Sequence, residues 1–484
     1  MRRSRRGGAS LAGLLAGLIG VAGCDRQPAP GVAPGPSAAG APAPVAPGTT
    51  DTLDAIFARS HAAYAALLRE DQPATGEDAL AVIEEAGARV LEVERSLLES
   101  GDGVQFDALW SKDATPAQRD AARRGVEGLE AAGVGALIAK AAALPRAVPV
   151  HEASGPLIDT KLPQLGRLRS LTRLNSARAV IALEAGDAEA FVERVGEILA
   201  LGVHGSRQGP IIAHLVGFAV QSRALEVIRQ GILTGRLDDA SLARLASLIE
   251  EQAVAPLSRA LRAERLLASD TIEFVYFTGP EGLAYLRGST DGAVVPDVRT
   301  RVVPEGRALG PGMPDRATQQ RLSEEAYDLV DELAAMLPAA RRGAGGWERL
   351  DTIRNENLLL GILMPALDKA LASRDMFEAD RSGTRALLAL ARAERALGAP
   401  PETLAALVPA FVAGVPVDPY TGHALGYMPP SKGPYEGGRR FVLYAAGPDG
   451  TDDGGKVDFA EPLRSQSAGG AGLDFLLNRE SAER

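Results

Sequence analysis

The stretch YAAGPDGTDDGGKVDF, residues 444–459, sets Asp449, Asp452, Asp453 and Asp458 among four glycines. Carboxylates at that density are the hard oxygen donors a calcium ion needs, since it collects roughly six to eight oxygens from carboxylates, carbonyls and water. Asp449, Thr451 and Asp453 hold the first, third and fifth places of an EF-hand-like loop, with Gly454 at the sixth. The twelfth place is Ala460 rather than glutamate, which excludes an EF-hand proper. Without a cation the same residues make a hydrated Asp/Gly turn between two strands. In either case the role is structural.

The other residue with chemistry of its own is Cys24, the only cysteine in the chain. Alone, it can form neither an internal disulfide nor a cysteine-rich metal site. It follows Arg2, Arg3, Arg5 and Arg6, an apolar run from Ala9 to Gly23, and the small residues Val21, Ala22 and Gly23. The apolar run is too short to span a bilayer comfortably. Arg5-Arg6 suggests twin-arginine export, but the residues that follow fit that signal poorly. Residues 25–50, DRQPAPGVAPGPSAAGAPAPVAPGTT, have nothing with which to fold; proline holds them extended, with a reach of roughly 80 Å.

Catalytic patterns are missing. There is no Walker loop, no G-x-S-x-G and no H-E-x-x-H. Gly202-Val203-His204-Gly205-Ser206 reads as a helix-end turn rather than a serine site. His61, His151, His204, His214 and His423 share no i, i+4 spacing, so a zinc site would need convergence from distant segments. The adjacent pairs Glu84-Glu85, Glu250-Glu251 and Glu324-Glu325 belong on solvated helix faces. No catalytic residue is assigned.

The composition suits closely packed helices: 484 residues, 46% hydrophobic but only 4% aromatic, rich in Ala, Leu and Gly. A net charge of −10 with no long basic run after residue 6 argues against a nucleic-acid partner. Six lysines against forty-six arginines reads as GC-rich coding rather than function. From Thr52 the apolar period is 3.6, with Leu80, Ile83, Val90, Leu91, Leu97 and Leu98 on one expected face. Thr75 with Asp78, and more clearly Thr115-Pro116-Ala117-Gln118, read as capping boxes. Helices are predicted over 165–185, 188–203, 210–235, 239–265, 318–337, 346–373 and 380–397. The fold class predicted is mainly α: an irregular helical bundle or α-solenoid-like body over 51–380, with a loop-rich insertion at 278–316. That insertion reads as disordered or domain-joining; as a lid or binding loop it would turn Tyr285, Arg287 and Arg299 toward a partner.

The Val-Ala-Gly-Cys sequence ending at Cys24 resembles the lipobox of bacterial lipoproteins. That resemblance implies a signal peptide at 1–23, lipid transfer to the Cys24 thiol, cleavage before it, and a fatty acyl (palmitate-type) chain on the new amino group. Residues 24–50 would then be a tether and the membrane lipid a partner. The folded body would sit in the periplasm or outside the cell, held to the cell membrane or outer membrane. Asp25 favours inner-membrane retention in enteric bacteria, a rule other phyla need not follow. The helical stretch NSARAVIALEAGDAEAFVERVGEILALG also looks like one helical hairpin of the tetratricopeptide kind, without a sustained repeat.

Residues 386–460 resemble the C-terminal half of the major pseudopilins of type II secretion. Pro401, Leu404 and Leu407 match one element; Asp418, Pro419, Tyr420, Gly422 and Tyr427 match a second; Gly447, Asp449, Gly450, Gly454, Gly455 and Asp458 match the glycine-rich loop. This implies a small α+β module at 381–460 with a tail at 461–484. It also implies a calcium ion held by Asp449 and Asp458 first, then Asp453 and Asp452, with backbone carbonyls near Ala445 and Thr451. Pseudopilins carry an apolar N-terminal helix where this chain has the lipobox, so no polymerisation is expected. The whole layout resembles large lipoproteins and secreted proteins of planctomycetes and similar bacteria, a resemblance that implies no activity. The expectation is an envelope scaffold with a protein partner. The alternatives are an accessory of type II secretion, or a hydrolase or ligand binder with a groove near 278–316.

Overall fold

The computed structural model describes residues 53–99, 105–111, 113–151, 156–278, 284–286, 301–303, 314–364, 367–435, 438–456 and 474–478. Residues 1–23, Cys24, the 25–50 segment, Arg287, Arg299 and Asp458 lie outside them, as do the side chains of Leu97 and Leu98.

The body is mainly α-helical, as the periodicity predicts. Its helices are α1 (Leu53–Arg69), α2 (Ala79–Glu99), α3 (Pro116–Ala131), α4 (Val134–Ala143), α5 (Gln164–Ala185), α6 (Ala188–Ser206), α7 (Ile211–Thr234), α8 (Asp239–Glu251) and α9 (Leu257–Val275). They continue as α10 (Arg316–Ala335), α11 (Pro338–Arg342), α12 (Gly346–Glu356), α13 (Leu358–Leu363) and α14 (Leu367–Leu397). Their starts follow capping chemistry. Thr115 and Gln118 form the reciprocal capping box at α3. Asp187 and Asp238 accept the Ala190 and Ser241 N–H groups at α6 and α8. At α2, Asp78 alone caps, accepting from Leu80 N–H, so the helix opens at Ala79 rather than at Thr75.

Three readings of the periodicity change. The 239–265 segment is two helices, because α8 ends at Glu251 and Pro256 precedes the fresh start of α9. The 346–373 segment breaks at Asn357, whose side chain accepts from Leu360 N–H at 3.0 Å and starts α13. The 380–397 segment is the second half of α14, which runs unbroken from Leu367. On α2, Leu80, Ile83 and Val90 are buried as expected, whereas Leu91 is 54% exposed; one helical step turns it off the buried face.

One core runs through α1 to α9. Its centre is the α6–α7 hairpin, where Gly202, Gly205 and Gly217 let two backbones nearly touch. A β-carbon on Gly217 would sit 2.7 Å from Ser206 N and 2.8 Å from Gly202 O. Helix α7 is long and apolar enough to cross a membrane, but 78% of its apolar window is buried inside the protein, where it is the central core helix. The expected tetratricopeptide-like hairpin is α5–α6, turned by Gly186 at φ +79°. Helix α14 ties the body to the C-terminal module. Phe377 stacks on Phe218 of α7 at 4.8 Å, and Arg229 of α7 donates to Thr384 at 3.0 Å. Further along, Leu387 and Leu390 join Leu404, Leu407, Tyr420 and Phe475 in a second core.

The 278–316 insertion carries backbone order that its sequence did not suggest. Strands β1 (Tyr276–Thr278), β2 (Ala284–Leu286) and β3 (Arg301–Val303) pair antiparallel in that order, with Tyr285 opposite Phe277 and Val302. The C-terminal module holds a second antiparallel sheet: β4 (Gly426–Met428), β5 (Val442–Ala445) and β6 (Phe475–Leu476). Strand β6 comes from the stretch read as a tail. Its Phe475 is fully buried, and Leu477 donates its N–H to Leu443 O.

A helix leaves its last carbonyls without intrahelical donors. Here arginines from other segments supply them. Arg89 donates to Ala132 O at the end of α3, and Arg236 to Leu183 O and Glu184 O at the end of α5. Arg259 of α9, 3% exposed, reaches Leu67 O, Leu68 O and Glu70 O at the end of α1, at 2.6, 3.1 and 2.9 Å. Arg341 reaches Leu333 O and Met336 O at the end of α10 while gripping Asp375 two-pronged at 2.6 and 3.3 Å. Three arginines of α14 do the same for its neighbours: Arg374 to Ala334 O, Arg381 to Ile249 O and Arg395 to Gly235 O. The arginine excess, read from the sequence as coding bias, therefore has a structural use.

Lysine offers one ammonium where arginine offers a planar fork, and cannot meet three carbonyls fixed in that geometry. Arg259→Lys is expected to lower the unfolding free energy by about 1–3 kcal/mol. The measurement is the urea midpoint at unchanged m-value; a midpoint equal to wild type would show the cap to be dispensable.

Candidate functional site

The glycine-rich loop after β5 turns through Gly447, Gly450, Gly454 and Gly455, all at positive φ. Two of its aspartates each cap a turn with one oxygen. Asp449 accepts from Thr451 N–H at 3.0 Å. Asp452 accepts from Gly454 N–H at 2.8 Å and from the Tyr444 hydroxyl at 3.1 Å. Two further aspartates pin the loop from outside. Asp418 accepts from Tyr420 and Ala446 N–H, both at 2.8 Å, and Asp474 from Asp453 and Gly455 N–H at 3.2 and 2.7 Å. Burial, together with the charges of Asp452 and Asp453, pushes the Asp474 carboxyl up to about 6. Burial likewise raises Asp418, with Asp452 adding repulsion.

As a calcium site, this arrangement brings Asp452 and Asp453 beside Asp474 and leaves one buried oxygen, Asp453 Oδ2, without a partner. Asp449 caps its own turn instead. Among the described residues no three His, Cys, Asp or Glu side chains converge so as to hold a metal ion. The described carboxylates thus fit backbone anchoring better than a complete ion cage. Asp474 went unnoticed in the sequence because seventeen residues separate it from the loop's last glycine-lysine pair, and nothing local announces its return.

A second constellation lies in the body. His61 of α1 and His151, ninety residues apart, hydrogen-bond through His61 Nδ1 and His151 Nε2. Their rings are 4.6 Å apart, and Tyr64 meets His151 edge-on at 5.1 Å. Behind the pair, the buried Asp270 of α9 accepts from Leu157 N–H at 2.7 Å and acts electrostatically on His61. Burial, His61 and Arg69 together hold the His151 imidazole below its ordinary value. The bond needs one proton between the two nitrogens, so the pair can take up one extra proton and remain joined. A second would place hydrogens on both facing nitrogens and break it. This is the distant convergence that histidine spacing could not reveal.

His151 opens into a cleft of about 1000 Å³ bounded by α1, α2, the 146–151 segment and the residues leading into α5. None of its described lining residues belongs to 278–316, near which a groove was expected and most of which lies outside the described residues. His204 and His214 are structural. His204 Nε2 meets Ala141 O at 3.0 Å and His214 Nδ1 meets Ser206 O at 3.3 Å, and burial brings both imidazoles down to about 4. Ser206 donates to Val203 O and accepts from Ala255 N–H, so the Gly202–Ser206 stretch is a helix end, as its sequence suggests. The acid pairs mostly face solvent, but Glu84 lines the cleft and is ion-paired to Arg167.

No protein-family model, curated protein or solved structure matches this chain.

Near Tyr64 and Tyr327, Glu264 has its carboxyl group enclosed against the first turn of α7, where it accepts from Ile211 N–H at 2.8 Å. Burial raises its pKa to about 7. Below that value the folded chain holds a proton the unfolded chain lacks, so acidification through 7 stabilises at this position and alkaline conditions cost stability. Glu264→Gln keeps the acceptor and removes the charge. It should raise stability at pH 8 by about 1–2 kcal/mol, the difference closing toward pH 5. Urea titrations at both values test this; a difference independent of pH would refute the buried charge.

Proposed function

We propose that this chain is a lipid-anchored envelope protein whose helical body is an interaction scaffold and whose C-terminal module is a structural end-piece. The observation that carries the reading is the sequence around Cys24: a charged start, an apolar run, Val-Ala-Gly before the only cysteine, then a proline-rich segment through residue 50. Two or more acyl chains would give stable anchoring, at about 0.8 kcal/mol for each buried methylene. The described body suits a scaffold. It is a continuous helical core in which α14 carries the C-terminal module without a break.

Calcium in that module is part of the same proposal, supported by the pseudopilin resemblance, by the repulsion at Asp474 and by the unpartnered Asp453 oxygen. On that resemblance Asp449, through the oxygen its turn does not use, and Asp458 would bind first, then Asp453 and Asp452, and the ion would relieve the crowding of like charge.

Two measurements test these halves separately. Mass spectrometry of the mature protein should show an acylated residue 24 as its first, and Cys24→Ser should leave the membrane fraction; an unmodified terminus would overturn the anchor. In millimolar calcium, a site of about 10⁻⁴–10⁻³ M affinity should raise the melting temperature by about 1–3 °C, reversed by chelator. Identical melting curves would remove calcium from the reading and leave the anchor standing.

A further inference from the structure

The cleft beside His151 has charged groups that the fold does not use. Of its lining carboxylates, Asp78 is held by Arg146 at 3.2 Å and by the Leu80 and Val148 N–H groups, and Glu84 by Arg167. Arg69 and Lys161 also line it, and neither has a carboxylate partner among the described residues. Arg69 gives only a long 3.4 Å bond to its own helix, and it lies close enough to His151 to act on it. The rest of the wall is largely apolar, including Leu68, Leu80 and Val148, and Val150 stands 93% exposed beside His151. An apolar residue that open, next to a polar pair backed by a buried carboxylate, is what a binding lip presents before its ligand arrives.

From this placement we infer that the cleft is a binding site for a small organic anion, with a carboxylate or phosphate head met by Arg69, Lys161 and His151 and an apolar body lying against the Leu68, Leu80 and Val150 wall. The histidine pair suits the head. When His61 Nδ1 donates to His151 Nε2, the proton of neutral His151 sits on Nδ1, so His151 has an N–H left to give. A cavity of about 1000 Å³ far exceeds an inorganic ion and leaves room for the body. The inference is independent of the lipid anchor and of calcium, since none of the described lining residues lies in either region.

The test uses the full-length protein in lipid nanodiscs, with empty nanodiscs as the blank. Hexanoate and hexyl phosphate are titrated by calorimetry against 1-hexanol and hexylammonium, which carry the same body without the negative head. At least one anion should bind, the tighter of the two assigning the head group, and both comparators should bind about tenfold more weakly or not at all. Lys161→Gln and Arg69→Gln, both at exposed positions, should each weaken the anion about fivefold at unchanged melting temperature, while Arg244→Gln on the far surface of α8 should not. The ring nitrogen-15 resonances of His151 should shift on saturation. Failure of both anions to bind above the blank, hexanol binding as tightly as hexanoate, or full affinity in the two cleft variants would each overturn the site.

Discussion

The body depends on guanidinium groups reaching across from one helix to the open end of another. A protein made of many moderate-length helices exposes a set of unpaired carbonyls at every C-terminus, and in a packed interior those carbonyls have no water to turn to. Glycine closes some ends here, at Gly186 and Gly235. At α1, α3, α5, α7, α8 and α10 the donors come from distant arginines. Each such contact does two things: it satisfies oxygen atoms, and it fixes where the donor's helix lies relative to the acceptor's. With few aromatic side chains to key the core, these polar clasps supply much of the directional information that aliphatic packing lacks.

Much of the local architecture could be read from the chain. Thr115 with Gln118, Asp187 after Gly186, and Asp238 after Gly235 carry their capping chemistry within four residues, so helix starts were legible. Pro256 and Asn357 act just as locally, but the apolar period runs across both and masked the breaks they make. Pairings over distance were hidden, because nothing in the neighbourhood of His61 refers to His151, nor in the glycine loop to Asp474. Strand β6 escaped notice for the same reason: two residues of sheet cannot show an alternation. The arginines mark the limit most clearly. Their number was plain, but their targets are backbone atoms, which no side-chain pattern encodes.

The aspartates of the C-terminal loop and the cations of the cleft are opposite cases. Around the loop, backbone N–H groups answer both oxygens of Asp474 and one each of Asp449 and Asp452, and the remaining tension lies between like charges around Asp474. In the cleft, Asp78 and Glu84 are answered by neighbouring arginines, and Arg69 and Lys161 have no such carboxylate among the described residues. One region is internally close to complete; the other is composed as half of an interaction.

Helix α14 joins the body to the C-terminal module: Leu367 and Leu371 share a core with α10, α12 and α13, Phe377 and Leu388 lie in the main core, and Leu387 and Leu390 gather with Tyr420 and Phe475. No joint separates the two masses along that rod. Force applied to one is delivered to the other through about 1.5 Å of rigid rise per residue, with no intervening slack to absorb it. The α7 contact at Arg229 and the packing around Tyr420 and Phe475 are thus held on one unbroken helix.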